Sequence, residues 1–173
     1  MSVAIGILVI RVLFGAAIAA HGAQKLFGWF GGYGLKGTGG VFEQLGFRPG
    51  IAFAAAAALS ECAGGILLTL GLFTPLGASA ILAAMLVAIV SVHLKNGFFA
   101  MANGVELPFL YAAVALGVAL TGAGAYSVDA LLGRTFLSEP LIVAGLLVLA
   151  IIGAAVTLGL RQQAQDQTSA AQH

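Results

Sequence analysis

From Cys62 to Leu94 the chain carries no Asp, Glu, Lys or Arg, and the same holds from Leu107 to Val128 and from Pro140 to Leu160. Charge-free stretches of this length point to bilayer-crossing segments, because a helix needs roughly 20 mainly apolar residues to span the hydrocarbon core. Composition agrees: 61% of residues are hydrophobic and 8% charged, far from the balance of a soluble globular domain. A chain of 173 residues has room for four or five such spans and little else. The fold class is therefore an all-α membrane protein, with residues 1–160 as a single transmembrane domain.

Apolar run length and the Gly, Pro and charge punctuation place spans near Val3–Lys25, Ile51–Phe73, Leu76–Lys95, Glu106–Gly122 and Leu141–Leu160. Thr74-Pro75 makes a hairpin between the second and third, since proline suits the first turn of a helix and not its interior. Alanine and glycine are dense throughout, as expected where close backbone approach replaces the hydrophobic force between helices. An interfacial helix is expected over residues 40–47, where Val41, Phe42 and Leu45 recur at helical spacing. Trp29, Phe30 and Tyr33 beside it suit a headgroup belt. The polar, Gln-rich tail, 161–173, is expected to be disordered.

The start is not expected to be a cleaved secretory signal: no basic residue precedes the apolar run, and Arg11 sits inside it. Lys25, Lys36, Arg48, Lys95 and Arg161 fall on one side of a five-span chain and Arg134 on the other, which predicts an outside N-terminus and a cytoplasmic C-terminus. A net charge of +1 offers no basic stripe for nucleic acid. Cys62 is the sole cysteine, so an internal dithiol or disulfide is out.

In such a chain the ionisable residues carry the information, because a charge at the bilayer centre costs at least about 2.5–3.5 kcal/mol. Arg11 and Glu61 lie about eight and about twelve residues from the outer ends of antiparallel spans, depths that differ by roughly 6 Å. That predicts an Arg11–Glu61 pair, either fixing how two helices dock or handling protons. A second group gathers near the cytoplasmic ends: His21, Gln24 and Lys25 close the first span, His93, Lys95 and Asn96 the third, and Asn103 and Glu106 open the fourth. Singly, each has a plainer role, such as lysine snorkelling or a helix-end charge. Together at one depth they make a candidate binding site, His21, Gln24, Lys25, His93 and Glu106. Two imidazoles could ligate haem, but no flanking haem pattern is visible, and His21, His93 and Glu106 match no recognised zinc spacing, so no metal is expected.

These same residues resemble a known family. Arg11-Val12-Leu13-Phe14-Gly15 followed by His21-Gly22-Ala23-Gln24-Lys25-Leu26-Phe27-Gly28 is similar to the DoxX signature. Leu59-Ser60-Glu61-Cys62-Ala63-Gly64-Gly65 and Leu70-Gly71-Leu72-Phe73-Thr74-Pro75 resemble its second span, and His93 with Asn103, Gly104 and Glu106 its third and fourth. The resemblance runs from about Ile5 to Gly122; the fifth span and the tail extend beyond the family's four-helix core. It implies a small inner-membrane protein of bacterial type, in a group associated with quinone-linked sulfur oxidation, terminal oxidases and membrane redox complexes. The function expected is then a redox-associated subunit that binds a quinone-like head group at the level of His21, His93 and Glu106, with electrons supplied by a membrane redox protein partner. Two other classes compete: a non-catalytic assembly scaffold presenting the aromatic loop, and a transporter of protons or small anions using Arg11 and Glu61.

Overall fold

The computed structural model describes residues 2–133 and 136–170, all helix, turn and loop, with no strand among them. The first span is α1, Ser2–Phe27. A short 3-10 turn at Trp29–Gly31 leads into α2, Gly34–Gln44. Next come α3, Gly50–Leu70, and α4, Thr74–Ala88, which continues through a π-helical turn at Ile89–His93 and a 3-10 turn at Leu94–Asn96. The chain then forms α5, Glu106–Thr121, the one-turn α6, Val128–Leu131, and α7, Pro140–Ala170. The helix thus continues as far as Ala170, through the segment expected to be an unstructured tail; residues 171–173 and Arg134 lie outside the described residues.

Among the described residues four helices are long and apolar enough to cross a membrane: Val3–Phe27, Gly50–Leu70, Thr74–Asn96 and Pro140–Arg161. At 16 residues α5 is shorter, about 24 Å against a core of about 30 Å. It runs between the same two ends of the bundle nonetheless. Its first residue is held at the end of α4, where the Glu106 N–H donates to Phe98 O at 2.8 Å, and the chain beyond its far end packs Gly124 against Ile7 near the start of α1. From there α7 returns along α4, and Arg161 Nε donates to Leu45 O at 2.7 Å, next to the α2 turn. Among the described residues five helices, α1, α3, α4, α5 and α7, thus run between the two ends of the bundle.

The α1–α3 seam is built from small residues. A Cβ added at Gly22 would fall on the backbone nitrogen of Cys62, one at Gly65 would lie 2.6 Å from Ala19 N, and one at Gly15 would lie 2.7 Å from Thr69 N. Gly15, Ala19 and Gly22 therefore run down α1 against Thr69, Gly65 and Cys62 on α3, and this contact sets the stagger of the two helices. Around it Ile18, Leu68, Ile81, Leu82, Met85, Ala115 and Val118 form the core.

The Thr74-Pro75 hairpin forms where the sequence places it. Gly71 ends α3 in the left-handed region at φ 66°, with its N–H returning to Leu68 O. The interfacial helix differs: α2 starts at Gly34 and ends at Gln44. Its glycines mute the helical signal at the front, yet they let it seat on α3, with Gly39 close against Ile51. Phe47, expected on that helix, is fully buried in the following turn, ringed by Phe42 and Phe53.

Candidate functional site

A cavity of about 530 Å³ opens at the Lys25 end of the bundle, between α2, α3, α4 and α7. Alanines make the room: Ala52, Ala56 and Ala57 on α3, Ala83, Ala84 and Ala88 on α4, and Ala154 on α7 recur at helical spacing and leave the wall without bulk. Into this apolar space come a few polar groups, as in most small-molecule sites. Lys25 closes α1, Ser60 and Glu61 come from α3, Ser91 and His93 from the π turn that ends α4, and Thr157 from α7. π turns inside helices recur at functional positions.

Glu61 is the most constrained of these groups, at 1% exposure. Its Oε1 pairs with the ammonium of Lys25, whose side chain is 32% exposed and so reaches the edge of the bundle. Its Oε2 is buried and has no hydrogen-bond partner among the described residues. A buried carboxylate oxygen left in this way is costly unless a ligand or water supplies a donor. His93 Nδ1 lies 2.8 Å from Asn103 O, which ties the imidazole to the loop ahead of α5.

The expected Arg11–Glu61 pair does not form. Arg11 is fully buried at the opposite end, where Nη1 donates to Leu68 O at 3.1 Å and Thr69 O at 3.3 Å, and Nη2 donates to Tyr126 O. The guanidinium thus meets the last carbonyls of α3, where a cation is favoured by the helix dipole. Asp129 supplies the complementary charge to the next helix. Its carboxylate accepts from Phe73 N at 2.9 Å, Thr74 N at 3.0 Å and Thr74 Oγ1 at 3.1 Å, capping α4 across the hairpin. The pairing failed on register: the small-residue seam sets Glu61 opposite Lys25 and leaves Arg11 level with the end of α3.

The other candidates divide. Lys25 and His93 line the cavity; His21, Gln24 and Glu106 do not. His21 is exposed, with its ring edge-on to Tyr111 at 5.7 Å. Gln24 Nε2 donates to Phe30 O at 3.2 Å and so braces the aromatic turn. Glu106 Oε2 accepts from Ala100 N at 2.8 Å and holds the loop before α5. Asn96 Nδ2 donates to Asn103 O at 3.1 Å, while Lys95 is exposed. Among the described residues no three of His, Cys, Asp and Glu converge as metal ligands would, so His21, His93 and Glu106 do not form a common ligand set.

Four polar wall residues were not singled out from the sequence: Thr38, Ser60, Ser91 and Thr157. Serines and threonines are common in membrane helices, where they bond to the preceding turn, so type alone does not mark them. Asp129 was missed as well, although Ser127, which accepts from Ala130 N at 3.1 Å, signals the short helix that carries it.

A family model for DoxX matches residues 6–94, more than half of the chain. No curated protein and no solved structure matches it.

Proposed function

The chain belongs to the DoxX family of membrane proteins, and on that premise we propose that it is a redox-associated subunit binding a quinone-like head group in the cavity at the Lys25 end. The observation that carries this reading is Glu61 Oε2, a buried, unpartnered carboxylate oxygen in the wall of an otherwise apolar space of about 530 Å³. An amphipathic ligand matches such a space: a flat polar ring against Lys25, Glu61 and His93, and an apolar tail along the alanine faces. Head groups of this kind exchange protons when they exchange electrons, and a carboxylate beside an imidazole provides acceptors for those protons. With Cys62 as its sole cysteine the chain has no dithiol of its own, so the electrons would come from a partner redox protein.

Lys25, Lys36, Arg48, Lys95 and Arg161 share the cavity's end of the bundle in this reading, which makes that end the cytoplasmic face of a bacterial-type inner membrane. Labelling of a cysteine placed at Lys36 by an impermeant reagent, from one side of the membrane at a time, checks the orientation. The transport reading loses its footing, since it needed Arg11 and Glu61 at one site and they stand at separate ones.

The direct test uses purified protein in lipid nanodiscs. A short-tailed ubiquinone analogue, supplied anaerobically as both its quinone and its quinol, is expected in at least one of the two forms to raise the melting temperature of the native chain and to lose that effect in His93→Ala and Glu61→Leu. An analogue that in both forms leaves the native protein's melting temperature unchanged, or that stabilises all three chains equally, would sink the proposal.

A further inference from the structure

We infer that the cavity takes the reduced, hydroxyl-bearing form of its head group, a quinol, in preference to the oxidised dicarbonyl form. This rests on the quinone-site reading above and adds the hydrogen-bonding polarity of the ligand.

The wall has few protons left to give. Thr157 Oγ1 donates to Gly153 O at 2.8 Å, Ser91 Oγ to Val87 O at 2.6 Å, and Thr38 Oγ1 to Lys25 O at 3.5 Å. A hydroxyl has one proton, and each of these is spent on the main chain, which leaves only lone pairs for a ligand. His93 behaves the same way. A carbonyl oxygen accepts and never donates, so the contact with Asn103 O places the hydrogen on Nδ1 and leaves Nε2 of the neutral ring as an acceptor. Glu61, as the carboxylate of an ion pair, offers Oε2 as a further acceptor, and this one is buried and unpaired.

Donors on the wall are scarce by comparison. The ammonium of Lys25 lines the cavity at its edge and gives one of its three hydrogens to Glu61 Oε1. Tyr33 is 82% exposed, and Ser60, half-buried, has the one wall hydroxyl with no main-chain bond among the described residues that is not at the surface. A quinone can take hydrogen bonds from Lys25 and Ser60 but has no proton to give, and it leaves Glu61 Oε2 as it was. A quinol carries two O–H donors, one for Oε2 and one for an acceptor such as His93 Nε2. The difference of one satisfied buried acceptor corresponds to about tenfold in affinity or more.

The test is anaerobic calorimetric titration of the full chain in quinone-free nanodiscs with decylubiquinone, decylubiquinol and the dimethyl ether of that quinol, which has no O–H. The expected result is binding of the quinol at least about tenfold tighter than the quinone or the ether. In Glu61→Gln, whose amide can donate where Oε2 accepts, the quinol-to-quinone ratio is expected to fall below about threefold. Quinone binding as tight as quinol binding in the native chain overturns the inference and leaves the quinone site standing. Binding of none of the three overturns both. The native ratio decides alone if Glu61→Gln does not fold.

Discussion

Replacing Lys25 and Glu61 singly and together measures how far the buried carboxylate depends on that lysine. Glu61 is 1% exposed and the Lys25 side chain 32% exposed, so the two single changes are not equivalent. Lys25→Met strips a buried carboxylate of its counter-charge, whereas Glu61→Leu leaves an ammonium that can turn toward the edge of the bundle. Breaking a fully buried pair from one side costs about 3–5 kcal/mol, and an exposed pair is worth less than about 1 kcal/mol. The partial exposure of Lys25 places this pair between those limits. Lys25→Met is expected to cost about 2 kcal/mol and Glu61→Leu less, because leucine suits the apolar wall. The double variant is expected to recover about 1–2 kcal/mol relative to the sum of the singles. A parallel cycle on Arg11 and Glu61 is expected to be additive within about 0.5 kcal/mol, since Nη1 and Nη2 of Arg11 donate to Leu68, Thr69 and Tyr126 at the other end of the bundle. Both cycles are read by reversible unfolding in mixed detergent and dodecyl sulfate, followed by helical circular dichroism. Additivity in the Lys25 cycle, or coupling above about 1 kcal/mol in the Arg11 cycle, would refute the assignment of partners.

Gly22→Ala is expected to cost about 1–3 kcal/mol in the same assay, because the new methyl group falls on the backbone of Cys62, while Gly6→Ala, with open space around it, is expected to be neutral within about 0.5 kcal/mol. Equal effects of the two would remove the small-residue seam as the source of the α1–α3 register. Asp129→Ala is expected to cost about 2 kcal/mol through loss of the remote cap on α4, with Asp129→Asn recovering part of it, since an amide oxygen still accepts from Phe73 N or Thr74 N. An asparagine variant no better than alanine would show that the negative charge matters and not the hydrogen bonds.

How much of this was legible in the sequence depends on which coordinate of a helix is asked about. Charge-free run length locates a helix along the chain: among the described residues four of the five expected spans coincide with helices long enough to cross and the fifth with the shorter α5, and Thr74 and Pro75 marked the α3–α4 turn. Depth was partly legible: Lys25 and His93 do share one cavity. Rotation about the helix axis was not, and so His21 and Glu106, taken as neighbours in one site, point to Tyr111 and to a loop instead. An all-round apolar helix has no amphipathic stripe to reveal which face looks inward, which is the normal state of a buried or membrane-spanning helix. Stagger between helices was misjudged for a different reason. Aligning α1 and α3 by their apolar ends assumes that they start and stop together, but in lipid the ends are not what drives association; close approach of small residues is. Aligning Gly15, Ala19 and Gly22 against Thr69, Gly65 and Cys62 instead sets Gly22 beside Cys62. Three residues on from Gly22 is Lys25, and one back from Cys62 is Glu61, so the seam that holds the helices together also brings the ammonium to the carboxylate. The partner of a buried charge in a membrane bundle is thus better sought from the small-residue register than from depth below the headgroups.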